Sequence, residues 1–239
     1  WVCVHIIDTG DGLLMLDAGT CGAEAMLIHS IWEMGFNPSD VKWIILSHGH
    51  VDHFGAASFF KRMFGTRIYL GAPDVQMFRE EPYLSMVQES GNCMDTLVDI
   101  DVEIQDGDVH KFGNTEVQFC LVPGHTRGCI ACFFDVVDGK EKKCAGYYGG
   151  FGFNTLQKDY LIEIGDVDCN MRQIYLDSLK KVRDKKVDIF IGNHTANVDL
   201  VNKQKYMLEH PNENPFINKN LWKDYLDSKR NELIAMMKG

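Results

Sequence analysis

The segment SHGHVDHFG, residues 47–55, most strongly limits what this chain can fold into and bind. It places three of the chain's nine histidines within six positions, directly after VKWIIL, an apolar run typical of a buried strand. Imidazole and carboxylate groups are common zinc ligands. The order H-x-H-x-D-H therefore predicts a metal site at a strand end, with four candidate ligands: His48, His50, Asp52 and His53.

The four candidates form two pairs that can face two different points. The first pair is two positions apart on an extended or looped segment, and the second pair follows in a turn. A catalytic zinc usually keeps three protein ligands and one open position, so other segments must contribute. We expect His125 in VPGHTRG and His194 in FIGNHTAN to do so, because each lies in a loop just after an apolar strand. The histidines in strand-like, helical or polar contexts are predicted to be non-ligands: His5, His29, His110 and His210.

Composition favours a small-molecule substrate over a macromolecular partner. The formal net charge is −10, whereas a nucleic-acid groove needs a basic surface. No apolar run approaches the roughly 18 residues of a membrane span. We therefore expect neither nucleic acid nor a membrane as a partner; oligomeric state is left open.

The eight cysteines are scattered along the chain, a pattern that favours a reducing compartment such as the cytoplasm. Cys129 and Cys132 form a C-x-x-C, but they lie in an extended apolar run without a second such pair. We interpret them as core residues. The chain begins at Trp1, inside a strand-like run, which is typical of a truncated N-terminus; a missing signal segment would instead indicate a periplasmic or secreted protein.

The order of predicted elements indicates one domain over residues 1–239. A hairpin, a helix, a strand, the histidine-rich loop, a helix and a further strand come first. Strand pairs, a helix, the buried strand VDIFIG and a helical tail from about Leu221 follow. Residues 72–95 give a mixed pattern. This alternation favours an α+β fold, an αββα sandwich of two mixed sheets packed face to face with helices outside.

Four motifs in order, LDAG, SHGHVDH, PGHTRGC and GNHT, resemble those of the metallo-β-lactamase superfamily. DGDVHKFG before the third motif and NPFINKNLWKDYLDS near the end are similar to the third (B-three) subclass and its relatives. The resemblance implies two zinc ions, one held by His48, His50 and His125 and the other by Asp52, His53 and His194. It also implies that Asp17 supports the ligands through hydrogen bonds, with Ser47 and Thr126 as further helpers.

Two zinc ions in such a site can share a water and present hydroxide as the nucleophile. Asp52 is the candidate catalytic residue, since a carboxylate in reach of the nucleophile can orient it and transfer protons. The bridging aspartate of the glyoxalase II, lactonase and RNase Z branches is not found where it is expected, in CAGYYGGFGFNTL. In lacking this aspartate, the stretch resembles the B-three subclass.

The same stretch departs from the lactamases, which usually place small polar residues there to hold the substrate carboxylate. Gly-Gly-Phe-Gly cannot do so by side chain, and Asn154, Thr155 or Arg127 are the candidate substitutes. The leading hypothesis is a zinc-dependent hydrolase of an amide or lactam. The alternatives are a hydrolase of a lactone, thioester or other ester, and a metal-binding module without catalysis.

Overall fold

The computed structural model describes residues 2–88 and 96–238. Its first sheet has the strand order β1-β2-β3-β4-β5, with β1 and β2 antiparallel and the other pairs parallel. These strands are β1 (His5–Asp8), β2 (Leu13–Leu16), β3 (Val41–Ile45), β4 (Arg67–Gly71) and β5 (Val102–Ile104).

The second sheet has the order β10-β9-β8-β7-β6. Its pairs are antiparallel except β9 and β10, which run parallel. Its strands are β6 (Val109–Phe112), β7 (Thr115–Leu121), β8 (Ile130–Asp138), β9 (Glu141–Tyr148) and β10 (Ile189–Gly192). Both sheets are mixed, as predicted.

Helices cover the outer faces of both sheets. The helices are α1 (Glu24–Glu33), α2 (Val51–Phe54), α3 (Ala57–Phe64), α4 (Ala72–Glu80), α5 (Lys158–Glu163), α6 (Asn170–Val182), α7 (Leu200–Glu209) and α8 (Leu221–Met236). Buried residues of α1, α3 and α4 pack on the first sheet, and those of α6 and α8 pack on the second. A third apolar cluster lies between the sheets. The αββα fold class is confirmed.

Strand β2 shows why the sequence folds into layers. Its four residues are all buried, but alternate side chains of a strand point to opposite faces. Leu13 and Met15 join the cluster under the helices, while Leu14 and Leu16 join the cluster between the sheets. A strand covered on both faces reads as a continuous apolar run.

Most predicted elements are present, with three differences. The loop that was expected to carry Asp52 and His53 forms one helical turn, α2, so these side chains project from a helix. Helices α5 and α7 were not predicted. Within the mixed segment 72–95, α4 and a short 3-10 turn (Pro82–Ser85) are present, and residues 89–95 lie outside the described part.

Cys129 and Cys132 are fully buried and belong to different apolar clusters on opposite faces of the second sheet. Their interpretation as core residues is confirmed. Over the described residues, none of the helices combines the length and the apolar character needed to cross a bilayer.

Candidate metal centre

Loops after several strands of both sheets meet at one edge of the sandwich. His48 and His50 follow β3, His125 follows β7, and His194 follows β10. The backbone N–H of Ile130 in β8 donates to the carbonyl of Ser47 over 3.0 Å, which joins the loop of the first sheet to the second sheet. Residues far apart in sequence therefore face one region.

The first group of predicted ligands is assembled. One nitrogen from each of His48, His50 and His125 lies within 4.8 Å of the others. His50 Nδ1 and His125 Nε2 are 3.0 Å apart, a separation at which two lone pairs repel unless a proton or a cation lies between them. His48 Nε2 is buried with no hydrogen-bond partner among the described residues. A metal ion ligated by these nitrogens would satisfy both features.

The second group lies beside the first. Asp52 Oδ2 is 3.3 Å from His53 Nε2 and 4.0 Å from His194 Nε2, and the His53 and His194 rings are 5.1 Å apart. Asp52 and His53 also form a cluster with His48 within 4.8 Å, so His48 lies between the two groups. The structure thus brings all six predicted ligands into one centre.

Hydrogen bonds fix which ring nitrogen faces the centre. His48 Nδ1 lies 2.9 Å from Ser47 Oγ, His53 Nδ1 lies 2.6 Å from Asp17 Oδ2, and His125 Nδ1 lies 3.0 Å from the carbonyl of Gly152. A histidine that donates through Nδ1 keeps Nε2 available as a ligand, the usual arrangement around protein-bound metals.

Asp17 is the acceptor at the base of this network. It is fully buried and has φ +59°, a conformation uncommon outside glycine, asparagine and aspartate. Ser47 donates to it through its backbone N–H at 2.7 Å and its hydroxyl at 2.9 Å, and the Tyr147 hydroxyl donates at 2.5 Å. Asp17 and Ser47 were predicted to support the centre, but Tyr147 was not, because it lies in an apolar strand without any local signal.

A second buried carboxylate, Asp74 at the start of α4, was also missed. Asp74 accepts hydrogen bonds from the backbone N–H of Gly49 at 2.8 Å and of Gly128 at 2.7 Å. It also accepts from the Thr126 hydroxyl at 2.7 Å. Thr126 therefore acts through Asp74 rather than on a ligand side chain. Asp74 joins the loop of His48 and His50 to the loop of His125.

Burial and mutual repulsion make most of the imidazoles neutral. Burial lowers the pKa of His48 and of His50 well below the usual value, and neighbouring imidazoles lower both further. Burial also lowers the pKa of His125 to about 4. Neutral imidazole is the form that binds a metal, so these three rings are prepared to ligate at neutral pH.

His53 and Asp52 behave as an ion pair. Burial acts to lower the pKa of His53, but the charge and hydrogen bond of Asp17, with Asp52, raise it to about 10. Burial acts to raise the pKa of Asp52, but the hydrogen bond and charge of His53 bring it well below its ordinary value. A metal at this position would replace the His53 proton.

A cleft of about 560 Å³ opens over the centre. Ligands from both groups line it, together with Asn154 and two side chains of α8, Tyr225 and Lys229. The other two candidate substrate residues lie elsewhere. Thr155 is buried with its hydroxyl 3.2 Å from His125 Nδ1. Arg127 forms an ion pair with Glu81 and lines a smaller, largely apolar pocket next to the cleft.

The glycine-rich stretch after β9 packs tightly against the centre. A Cβ on Gly149 would lie 2.5 Å from the carbonyl oxygen of Ser47, and one on Gly150 would lie 2.7 Å from His125 Cδ2. Asn193 donates to the carbonyl of Gly149, which fixes this backbone to the loop of His194. The stretch contacts the centre through its backbone.

A family model described as "Metallo-beta-lactamase superfamily" matches residues 3–137, more than half of the chain. The chain belongs to the metallo-beta-lactamase superfamily. Solved structures agree over nearly the whole chain. The native FEZ-1 metallo-beta-lactamase from Legionella gormanii superposes with a TM-score of 0.85 at 25% identity, covering 99% of this chain and 89% of that one.

BJP-1, a subclass B3 metallo-beta-lactamase of Bradyrhizobium japonicum, superposes with a TM-score of 0.83 at 24% identity, covering 99% of this chain and 88% of that one. The resemblance to the B-three subclass is therefore confirmed at the level of the fold. Among curated proteins, the hydroxyacylglutathione hydrolase GloC of Haemophilus influenzae is 31% identical over 134 residues, 54% of this chain and 58% of that protein. The chain spans less than two thirds of the length of the curated relatives that it matches first.

Proposed function

We propose that this protein is a zinc-dependent hydrolase of an acyl substrate. The observation that carries the proposal is a set of facing nitrogen donors: His50 Nδ1 lies 3.0 Å from His125 Nε2, and His48 Nε2 is buried with no partner in the described part of the chain. An all-nitrogen set with an adjacent carboxylate suits zinc.

Each zinc ion would have three protein ligands. The first would take His48, His50 and His125, and the second would take Asp52, His53 and His194. Metal ions bound in this way polarise a carbonyl and lower the pKa of water towards neutrality. Three ligands leave an open position, which a closed structural site does not have. The open cleft above them favours catalysis over a metal-binding module.

The protein's own groups would then orient water and substrate. Asp52 is ionised at neutral pH because its pKa is low, so the carboxylate oxygen that does not bind zinc could accept a hydrogen bond from a water in the cleft. Asp17 holds His53 Nδ1, and the Gly152 carbonyl holds His125 Nδ1. These contacts prevent the rings from rotating when a substrate enters.

The leading candidate reaction is hydrolysis of an amide or lactam, which the fold of the lactamases FEZ-1 and BJP-1 supports. The second candidate is hydrolysis of a thioester, lactone or other ester. It is favoured by the GloC match and by the backbone-only stretch at Gly149 and Gly150, which offers no side chain to a lactam carboxylate.

The test is a substrate panel on zinc-loaded protein: nitrocefin for lactams, a hydroxyacylglutathione for thioesters, and a simple lactone. We expect turnover of at least one substrate, abolished in His50→Ala with the circular dichroism spectrum unchanged. Nitrocefin turnover would support the lactam candidate, and turnover of only the thioester or lactone would support the second. Two bound zinc ions without hydrolysis of any compound would refute the enzyme in favour of a binding module.

A further inference from the structure

The cleft contains a cationic side chain that the metal centre does not use. Among the described residues that line the cleft, Lys229 of α8 is the one lysine or arginine. Its side chain is 20% exposed, so most of its stem is packed. His50, Asp52 and His194 line the same space. A molecule in the cleft can therefore touch the ammonium group and the metal ligands at once.

Two aromatic rings and a carboxylate hold the Lys229 ammonium in place. Nζ lies 5.6 Å from the centre of the Phe153 ring and 5.4 Å from that of Tyr225, within the range of cation–π attraction. Glu232 accepts a hydrogen bond from Nζ at 2.7 Å. An ammonium has three donors, so this pairing leaves capacity for another anion.

The ammonium is also fixed relative to the metal centre through Asn197. Asn197 accepts from the backbone N–H of His194 at 2.9 Å and donates to the Tyr225 hydroxyl at 2.9 Å. The Phe151 and Tyr225 rings pack edge to face at 4.8 Å. Helix α8 and the loop of His194 are thus one connected unit, and such preorganisation reduces the entropic cost of binding.

A substrate carboxylate that lies apart from the bond held at the metal centre would have this ammonium as its positive partner. The chain carries a net charge of −10, and Asp52 lies in the cleft itself. Arg127, the other candidate cation, is engaged with Glu81 in the neighbouring pocket. The stretch from Gly149 to Gly152 has only Phe151 as a side chain. A local positive group is the usual way to draw an anion into such a cleft.

We propose that Lys229 binds a carboxylate of the substrate while the scissile acyl bond lies at the metal centre. The proposal rests on the proposed hydrolase function and deepens it by naming the substrate class: acyl compounds that carry a carboxylate apart from the bond that is cleaved. Tyr225 and Phe153 position the ammonium, and Lys229 determines specificity.

The test compares two esters that differ in a single charge, 4-nitrophenyl hydrogen glutarate and methyl 4-nitrophenyl glutarate, with zinc-loaded protein. In Lys229→Met we expect KM for the carboxylate ester to rise by about tenfold, the size of one charge-assisted contact. Its kcat and both constants for the methyl ester should stay unchanged. Lys229→Arg should restore most of the KM. An equal change for both esters would overturn the proposal.

Two further variants separate recognition from helix stability. Lys223→Met removes another lysine of α8, which is 51% exposed and 3.9 Å from Asp184, and should change neither ester. Glu232→Gln keeps an amide oxygen that can accept the hydrogen bond of Lys229 but removes the negative charge that competes for the ammonium, so it should leave KM for the carboxylate ester unchanged or lower it. If Glu232→Gln instead raised that KM as Lys229→Met does, the lysine would be only half of a structural ion pair and the proposal would fail.

Binding measured without turnover distinguishes this proposal from the hydrolase function. Glutarate titrated into ¹⁵N-labelled, zinc-loaded protein should shift amide signals of α8 in the wild type and in Lys223→Met, with a much weaker effect in Lys229→Met. Equal binding in Lys229→Met would refute the anion site even if both esters were hydrolysed. Failure of the wild type to hydrolyse either ester would count against the proposed function, while the glutarate shifts would still decide the role of Lys229.

Discussion

The Asp74 carboxylate accepts a hydrogen bond from the backbone N–H of Gly49 at 2.8 Å. It therefore fixes the backbone between His48 and His50. Its other contacts reach Thr126 and Gly128, on either side of the turn after His125. One side chain therefore links the loop of His48 and His50 to the loop of His125. Its full burial makes each of these hydrogen bonds costly to lose.

Asp74→Asn should weaken zinc binding at the first group of ligands. The amide keeps the shape of the carboxylate but presents an NH₂ group where Asp74 accepts from two N–H groups and a hydroxyl. We expect a loss of about 10–100-fold in zinc affinity, as for other residues that orient ligands, measured by competition with a chromophoric chelator.

Asp101→Asn is the matched control for Asp74→Asn. Asp101 also accepts a backbone N–H, from Ile68 at 2.8 Å, and pairs with Lys61, but it lies away from the centre. The Asp101→Asn variant should be less stable than the wild type but should bind zinc with the same affinity. Equal zinc affinity in Asp74→Asn and the wild type would show that the loops hold their spacing without Asp74.

A second prediction concerns the proton on His53. Because Asp17 and Asp52 raise the pKa of His53 to about 10, the ring is protonated in zinc-free protein at pH 8. Zinc binding must displace that proton. Asp17→Asn removes the charge that holds it, so this variant should release about one proton fewer per chain on zinc binding. Calorimetric titrations in buffers of different ionisation enthalpy measure the difference.

Tyr147→Phe serves as the control for proton release. It removes a donor to Asp17 but leaves the carboxylate, so His53 should stay protonated and the number of protons released should match the wild type. Protons from zinc-bound water contribute equally to all three proteins and cancel in the comparison. If Asp17→Asn released as many protons on zinc binding as the wild type, His53 would not be the source of the extra proton.

The grouping of the six candidate ligands was predictable from sequence because their signals are local. His48, His50, Asp52 and His53 lie within six positions, and His125 and His194 each follow a strand that the apolar pattern identifies. Asp74 and Tyr147 have no local signal. Asp74 meets Thr126 across 52 positions, and Tyr147 meets Asp17 across 130, so both roles exist only after the two sheets have packed.

The missed helices have a physical explanation as well. Helix α7 has no buried residue, and α5 has six residues with only Leu161 buried, so neither presents a clear apolar stripe. Helix α2 is one turn of four residues, shorter than any period that a sequence pattern can reveal. The core strands were predictable because burial on both faces leaves continuous apolar runs.

A third prediction is that zinc-free protein loses stability as the pH falls below neutrality. Burial holds the pKa of His125 at about 4, whereas an unfolded histidine titrates near 6.5. Between these values the unfolded chain binds a proton that the folded chain does not, so the free energy of unfolding decreases with falling pH. His48 and His50, whose pKa values are lowered in the same direction, add to the slope.

Thermal unfolding of chelator-treated protein between pH 7 and pH 5 checks this dependence. His125→Gln should flatten the slope, since a buried histidine that resists protonation is removed. The raised pKa of His53 has the opposite effect on the free energy of unfolding. Its contribution to stability is complete below about pH 6.5 and is lost as the pH rises towards 10. If His125→Gln left the pH dependence of stability unchanged, the lowered pKa of His125 would not be its cause.

The last prediction concerns Gly150, where this chain departs from the lactamases. A Cβ there would lie 2.7 Å from Cδ2 and 2.8 Å from Cβ of His125. Gly150→Ser should therefore displace this candidate ligand and lower the amount of zinc bound per chain, measured by mass spectrometry of the metal. Gly146→Ala in β9, whose Cβ would lie 2.6 Å from Cγ2 of Val187, should reduce stability but keep zinc. If Gly150→Ser kept its zinc and gained affinity for nitrocefin, the close packing against His125 would not prevent a side chain at position 150. The expected loss of zinc would show that this stretch packs too closely on His125 to accept a serine side chain at position 150.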